Sequence, residues 1–250
     1  MDYPVFKEEM KSSYTILIPD MLPIHFKLII NILKKYGYHV ELLQTSTRAV
    51  VDEGLKNVHN DTCYPALLVI GQFINALKSG KYDVSRTALM LTQTGGGCRA
   101  SNYIHLLRKA LKKEFPQVPV ISLNLSGLEK GSGLSLTLPL LIKVVYAVFY
   151  GDLLMSLYNQ CKPYEIHSGE SESVREKWQE KLTTIFDKRE FIKCKKYCRM
   201  ILEDFDKIER TKEKKIRVGI VGEIYVKYSP LANNHLEEFL LSEGCEPIVT

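Results

Sequence analysis

Short apolar runs alternate with amphipathic stretches over the first half of the chain. Residues Tyr14–Ile18 are almost wholly apolar, which predicts a buried strand. Apolar residues then recur at helical spacing over Phe26–Tyr36, Gly37 supplies a stop signal, and His39–Gln44 predicts a second strand. A strand, a helix and a strand in this order are typical of the start of a doubly wound parallel sheet.

The same alternation continues to about residue 125. Helical periodicity predicts helices over Tyr64–Leu77 and Ser101–Phe115, and apolar runs predict strands over Thr87–Thr92 and Val120–Asn124. The pattern therefore predicts the α/β class. Residues 1–125 are expected to form a first domain, in which helices flank a parallel sheet.

The sequence of residues 126–213 predicts a helical region that packs on the first domain. A polar linker is expected at His167–Ser173, followed by charged amphipathic helices. The most apolar long stretch is Leu134–Tyr150, which Lys143 interrupts and a Gly-Asp pair follows. We interpret it as a buried helix rather than a membrane span, because it is short and its ends are polar.

Residues 214–250 predict the beginning of a second α/β domain. Lys214–Val221 has the pattern of a strand, Leu231–Ser242 that of a helix with Gly244 as its C-cap, and Glu246–Thr250 that of the next strand. We expect this domain to be incomplete, so that either the chain is truncated or a partner completes the sheet.

Composition narrows the class of protein. The chain has 250 residues, of which 45% are hydrophobic and 25% charged, and these values exclude a disordered chain or a fibrous repeat. The net charge of +5 comes with lysine-rich helical stretches that we interpret as solvated faces rather than as a nucleic-acid site. Met1–Ser13 has no apolar signal-peptide core, so we expect a cytoplasmic protein whose six cysteines are free thiols or ligands.

Two cysteines stand where a loop passes into a predicted helix. Cys63 lies in HNDTCYPA and Cys98 in TQTGGGCR, the second directly after a strand. A helix N-terminus carries partial positive charge, which lowers a thiol pKa and favours thiolate ligands. Two small buried cysteines with no ligand are an equally good interpretation of these residues alone.

NDTCYPA, QTGGGCRASNY about thirty-five residues later, and VGEIYVKYSPLANNHLEEFLLSEG at 221–244 together resemble the 2-hydroxyacyl-CoA dehydratase superfamily. The closest resemblance is to its large proteins related to the dehydratase activase. It implies flavodoxin-like domains that hold a 4Fe–4S cluster, or a related double-cubane cluster. Dehydratases of this family remove water from 2-hydroxyacyl-CoA by a radical route, which one electron from an ATP-driven activase starts.

The resemblance assigns Cys63 and Cys98 to the first two cluster ligands, which are thus the expected metal-binding and cofactor-binding residues. A further cysteine in the family comes from the C-terminal domain, and Cys245 does not match its position. The implied function is low-potential electron transfer, or reductive or dehydratase chemistry. The implied partners are an ATP-dependent activase or reductase, an acyl-CoA, and a C-terminal domain or partner chain, with no nucleic acid and no membrane. The alternatives are a non-catalytic α/β partner domain or a thiol redox sensor.

Other residues allow two interpretations each. His59 and Arg99, beside the two cysteines, suit proton transfer and anion binding, or are plain loop and helix-start residues. Cys194 and Cys198 are four positions apart and so share one face of a predicted helix, where they either bind a metal together or have no joint role. Cys161 has no assigned role. The residues matched in the second-domain opening could line a cleft or cap a helix: Tyr225, Lys227, Asn233 and Asn234.

Overall fold

The computed structural model describes residues 3–59, 61–93, 99–124, 134 and 137–249. The chain divides into two compact units. The first, here the sheet unit, contains Met1–Asp20 and Tyr36–Leu136, and the second, here the helical unit, contains Met21–Lys35 and Thr137–Thr250.

The strands are β1 (Thr15–Pro19), β2 (His39–Leu43), β3 (Thr87–Gln93), β4 (Val120–Asn124), β5 (Arg217–Ile220) and β6 (Glu246–Val249). The helices are α1 (Pro23–Lys35), α2 (Arg48–Asn57), α3 (Tyr64–Lys78), α4 (Tyr103–Glu114), α5 (Leu138–Cys161), α6 (Glu170–Asp187), α7 (Cys194–Asp206), α8 (Ile224–Tyr228), α9 (Pro230–Asn233) and α10 (Leu236–Ser242).

The sheet unit is built on four parallel strands in the order β2-β1-β3-β4. This order is that of the flavodoxin-like doubly wound fold, so the predicted α/β class and the parallel sheet are confirmed. In the central strands, Ile16, Leu17, Ala88 and Leu89 are completely buried. Such near-continuous apolar strands are typical of parallel sheets, because helices cover both faces.

Helix α2 was not predicted from the sequence, although it packs closely on α3. Two glycines allow the contact. A Cβ atom on Gly71 would lie 2.1 Å from the carbonyl oxygen of Val50, and one on Gly54 would lie 2.4 Å from that of Leu67. The apolar pattern of α2 is weak because its close contacts are made largely by backbone.

The predicted helix in Leu134–Tyr150 exists as part of α5, but the expectation that it is buried was wrong. Leu140, Ala147 and Tyr150 face the interior, whereas Leu138 is 70% and Val145 60% exposed. Hydrophobicity all round a helix does not tell which of its faces a neighbour covers.

In the described residues, one helix is long and apolar enough to cross a membrane, at Leu138–Tyr164, and 28% of its most apolar window is buried. Core helices of soluble proteins meet the same criteria of length and composition, and one such helix is compatible with a soluble protein.

The polar linker predicted at His167–Ser173 was wrong in its second half, because α6 begins at Glu170 within it. The buried carboxylate of Glu165 accepts hydrogen bonds from the backbone N–H groups of Gly169 (2.7 Å) and Ser171 (2.8 Å) and from Lys162 Nζ (2.7 Å). Burial raises the pKa of Glu165, but these donors more than offset it and hold the pKa below its usual value.

In the helical unit, the strands predicted within Lys214–Val221 and Glu246–Thr250 are present as β5 and β6, and they pair in parallel. The single helix predicted over Leu231–Ser242 was wrong, because Asn234 and His235 both adopt left-handed backbone conformations and separate α9 from α10. The C-cap at Gly244 is confirmed: its φ is +69°, and Cys245 N–H donates to the Leu240 carbonyl at 2.9 Å.

We expect Gly71→Ala to lower the free energy of unfolding by about 1–3 kcal/mol, because the added methyl group forces α2 and α3 apart. Urea denaturation followed by circular dichroism measures this. Gly219→Ala is the matched control, since a Cβ atom there meets nothing within 4 Å. An equal loss in both variants would contradict the close contact.

Candidate functional site

Cys63 is the N-cap residue of α3, as its place in the sequence predicts. Its backbone is extended (φ −62°, ψ 146°), and its carbonyl accepts hydrogen bonds from the N–H groups of Ala66 (3.0 Å) and Leu67 (3.3 Å). Pro65 has no N–H group, so Tyr64 carries the remaining backbone donor of this first turn. The positive end of α3 is thus directed at Cys63 mainly through the helix dipole.

The thiol of Cys63 contacts a second helix start. Its Sγ lies 2.7 Å from Oη of Tyr103, the first residue of α4, although the two residues are 40 positions apart. The side chain of Cys63 is half-buried. This hydrogen bond brings the start of α3 to the start of α4, which are the two places where the sequence analysis put a reactive cysteine.

Cys98, the other predicted ligand, lies outside the described residues. The description resumes at Arg99, whose backbone begins a 3₁₀ helix (Arg99–Asn102) leading into α4. Whether the sulfurs of Cys63 and Cys98 face a common site therefore stays a prediction.

Asp20 is a candidate that the sequence analysis passed over. It follows β1 directly and is 6% exposed, and its Oδ2 accepts a hydrogen bond from Gln44 Nε2 at 3.3 Å, just after β2. Burial raises the pKa of Asp20 to about 6, although the hydrogen bond from Gln44 opposes this. A polar residue directly after a buried parallel strand lies at the edge where such sheets bind ligands, and this signal was present in the sequence.

Gln72 of α3 holds the backbone at that edge. Its Nε2 donates to the carbonyl oxygens of Leu43 (3.1 Å) and Thr45 (3.0 Å). The end of β2 is therefore tied to α3, the helix that begins at Cys63.

His59 is an exposed loop residue in the structure. Its Nδ1 accepts the backbone N–H of Asp61 at 3.3 Å and lies 3.3 Å from Oδ2 of the same residue. These contacts organise the turn before Cys63, and they leave a role in proton transfer untested.

The remaining described cysteines lie in the helical unit. Tyr150 Oη is 3.6 Å from Cys194 Sγ, and burial raises the pKa of the Cys198 thiol, as does neighbouring Cys194. Cys161 is buried, which raises its pKa, and Arg210 Nη1 lies 3.8 Å from its sulfur. Within the described ranges, no three His, Cys, Asp or Glu side chains are grouped so that they could hold a metal ion.

Of the second-domain residues, Asn233 acts as a cap. Its Oδ1 accepts the N–H of Leu236 (3.1 Å) and its Nδ2 donates to the carbonyl of Lys227 (3.2 Å). Tyr225 is buried at the start of α8, where the Glu223 carboxylate accepts its N–H at 3.0 Å. Asn234 supplies one of the two left-handed residues that separate α9 from α10.

No family model, no curated protein and no solved structure matches the chain. The relationship to the 2-hydroxyacyl-CoA dehydratase superfamily stays a prediction.

The raised pKa of Asp20 gives the stability of the protein a defined pH dependence. Because the folded-state pKa is about 6 and the ordinary value is 3.8, the folded chain keeps this proton between those values while the unfolded chain loses it. The free energy of unfolding should therefore fall as pH rises from about 4 to 6, by up to about 3 kcal/mol from this group.

We expect Asp20→Asn to remove that contribution, so that the variant gains stability relative to the wild type as pH rises from 4 to 7. Urea denaturation at several pH values measures the difference. Asp52→Asn, at a surface carboxylate paired with Arg48 at 3.1 Å, is the control. A difference between Asp20→Asn and wild type that does not change with pH would contradict the assignment.

Proposed function

We propose that this chain is an iron–sulfur protein related to the 2-hydroxyacyl-CoA dehydratases and their activase-related proteins. The observation that carries the proposal is the 2.7 Å contact between Cys63 Sγ and Tyr103 Oη. It brings the first cysteine motif to the start of α4, and Cys98 stands only five positions before Tyr103 in the sequence.

The fold supports a site at this edge of the sheet. Open parallel sheets bind ligands beyond the carboxyl ends of their strands. Asp20 and Gln44 follow the carboxyl ends of β1 and β2, and Gln72 ties the end of β2 to α3. Polar groups thus lie at the edge of the sheet where the sequence motifs predict the cofactor.

The environment of Cys63 suits a thiolate that binds iron. Its sulfur is half-buried, and the Tyr103 hydroxyl beside it can donate a hydrogen bond to it. Hydrogen bonds to cluster sulfurs and partial burial both tune the reduction potential. Cys63 and Cys98 would hold the cluster, which when bound supplies low-potential one-electron chemistry.

The protein residues have separate roles in this proposal. Tyr103 orients the Cys63 sulfur, and the dipole of α3 offsets negative charge on it. Asp20, with its pKa of about 6, can accept or release a proton near neutral pH. Two thiolates fall short of the three or four that most clusters use, so a further ligand would come from another chain or domain.

The expected partners follow from the same relationship. An ATP-dependent activase or reductase would supply electrons, and an acyl-CoA would be the substrate, in the reducing cytoplasm. Neither nucleic acid nor a membrane is part of the proposal.

Anaerobic reconstitution of the 250-residue chain with ferrous iron and sulfide tests the proposal. We expect broad absorption near roughly 400 nm, less than one cluster per chain, and rapid loss of iron to a chelator, because only two thiolates bind it. Cys63→Ser and Cys98→Ser should each abolish iron binding. Cys194→Ser and Cys245→Ser, whose sulfurs lie in the helical unit, are the controls and should retain it.

Other outcomes point elsewhere. A colourless, iron-free protein whose Cys63 and Cys98 thiols oxidise reversibly would favour a thiol redox sensor, and one with inert thiols would favour a non-catalytic partner domain. Stoichiometric, chelator-resistant iron binding by the monomer would contradict the two-thiolate ligand set and require Cys194, Cys198 and Cys245 to be tested as ligands.

Tyr103→Phe tests the hydrogen bond to the sulfur separately. The variant should still bind iron, but its reduction potential should be more negative. In the wild type the hydrogen bond from Tyr103 stabilises the reduced state, which carries more negative charge, and the variant lacks this bond. Anaerobic redox titration followed by absorption measures this shift. An unchanged potential would show that the Tyr103 hydroxyl does not act on a ligand sulfur.

A further inference from the structure

The helical unit contains a cleft of about 340 Å³. It is formed by the start of α1, the C-terminal part of α5, the first turns of α6 and the segment from α8 to α10. This volume lies within the range of sites that bind small molecules, which are about 300–1,000 Å³.

Two nearly inaccessible polar side chains line this cleft. Asn159 is 4% exposed, and its Oδ1 has no hydrogen-bond partner in the described part of the protein. His25 is 1% exposed, and its Nδ1 likewise has none. Nε of Arg175, a donor that also lines the cleft, has no hydrogen-bond partner among the described residues either. Buried polar atoms are nearly always hydrogen-bonded, so the unpartnered oxygen of Asn159 and nitrogen of His25 indicate that a ligand supplies donors to this cleft.

The oxygen of Asn159 is an acceptor. Nε2 of His25 lies 2.9 Å from Oδ1 of Asp152 and donates to it, because a carboxylate can only accept, so Nδ1 is an acceptor in the neutral form of the ring. The amide Nδ2 of Asn159 donates to Glu237 Oε2 at 3.2 Å, which leaves Oδ1 as the free acceptor. The His25 ring keeps its place because Gly151 has no side chain: a Cβ atom there would lie 2.4 Å from the ring.

The charges along the cleft do not balance. Arg175 is already paired with Glu172 at 2.9 Å and lies 4.7 Å over the Tyr158 ring. Glu238 pairs with His235 at 3.1 Å. Among the described residues, Glu237 has the neutral Asn159 amide as its one hydrogen-bond partner, and partial burial raises its pKa. A half-buried carboxylate without a cation is costly, and a bound cation would relieve this cost.

The rest of the cleft is apolar or aromatic. Leu22, Pro23, Met155, Tyr228 and Leu241 contribute to its walls. A ligand that fits must therefore combine a positively charged donor at one end with an apolar body.

We propose that this cleft binds a small organic amine, with its ammonium group on Glu237 and Asn159 Oδ1 and its apolar body against the walls. An ammonium group has three donors and no acceptor, which matches the unpartnered acceptors. An anion would meet the uncompensated Glu237 instead. The site belongs to the helical unit and does not depend on the proposed iron–sulfur function.

Three probes of similar shape and different charge test the proposal on the unmodified 250-residue chain: 2-phenylethylamine, 2-phenylethanol and 3-phenylpropanoate. Saturation-transfer NMR and calorimetric titration at pH 7.5 measure binding. The amine should bind at least about tenfold more tightly than the alcohol, because a hydrogen bond to a charged group contributes about 1.5–3 kcal/mol. The carboxylate should not bind.

Glu237→Gln should reduce amine affinity to that of the alcohol and leave alcohol binding unchanged. Glu243→Gln, just beyond α10 and outside the cleft walls, is the matched control and should bind as the wild type does. The comparison of the three probes on the wild-type chain keeps the test valid if Glu237→Gln fails to fold. Equal affinity for amine and alcohol, preference for the carboxylate, binding of none of the probes, or an unaffected Glu237→Gln variant would each overturn the proposal.

Discussion

Burial of both faces of the parallel sheet is the constraint on which the sheet unit depends. The central strands have no polar face to leave in water, so helices must cover them on each side. Twelve of the 15 residues of α3 are buried, because this helix packs on β1 and β2 and, through Gly71, on α2 as well. The position of Cys63 follows from this packing, since the cysteine caps the helix that the sheet holds in place.

The same burial gives the edge of the sheet its chemical properties. A carboxylate in water would titrate at its ordinary pKa, but Asp20 is enclosed at the end of β1 and keeps its proton up to about pH 6. Cys63 and Tyr103 come from helices that start 39 positions apart and meet because both helices pack in the same unit. A half-buried thiol, a phenol and a titratable acid thus belong to one compact unit.

The helical unit shows the opposite balance between packing and polarity. Its centre contains Trp178, Tyr150, Phe186 and Phe205, all essentially inaccessible. Polar atoms border its cleft. Within the part of the chain that the structure describes, the Glu237 carboxylate there has no cationic partner, and Asn159 Oδ1 and His25 Nδ1 have no hydrogen-bond partner. A tightly packed interior can position such groups without solvating them, which is a common property of binding sites.

Local patterns in the sequence determined the strands β1–β4, helices α3 and α4 and the N-cap position of Cys63, because apolar spacing and capping act within a few residues. They did not determine the α2–α3 contact, which backbone atoms make, or the exposed face of α5, which depends on neighbours absent from the pattern. The raised pKa of Asp20 and the cleft were also decided by tertiary structure. Burial and charge balance at His25, Asn159 and Glu237 arise among segments at least 78 positions apart, and no local pattern records which of them become neighbours.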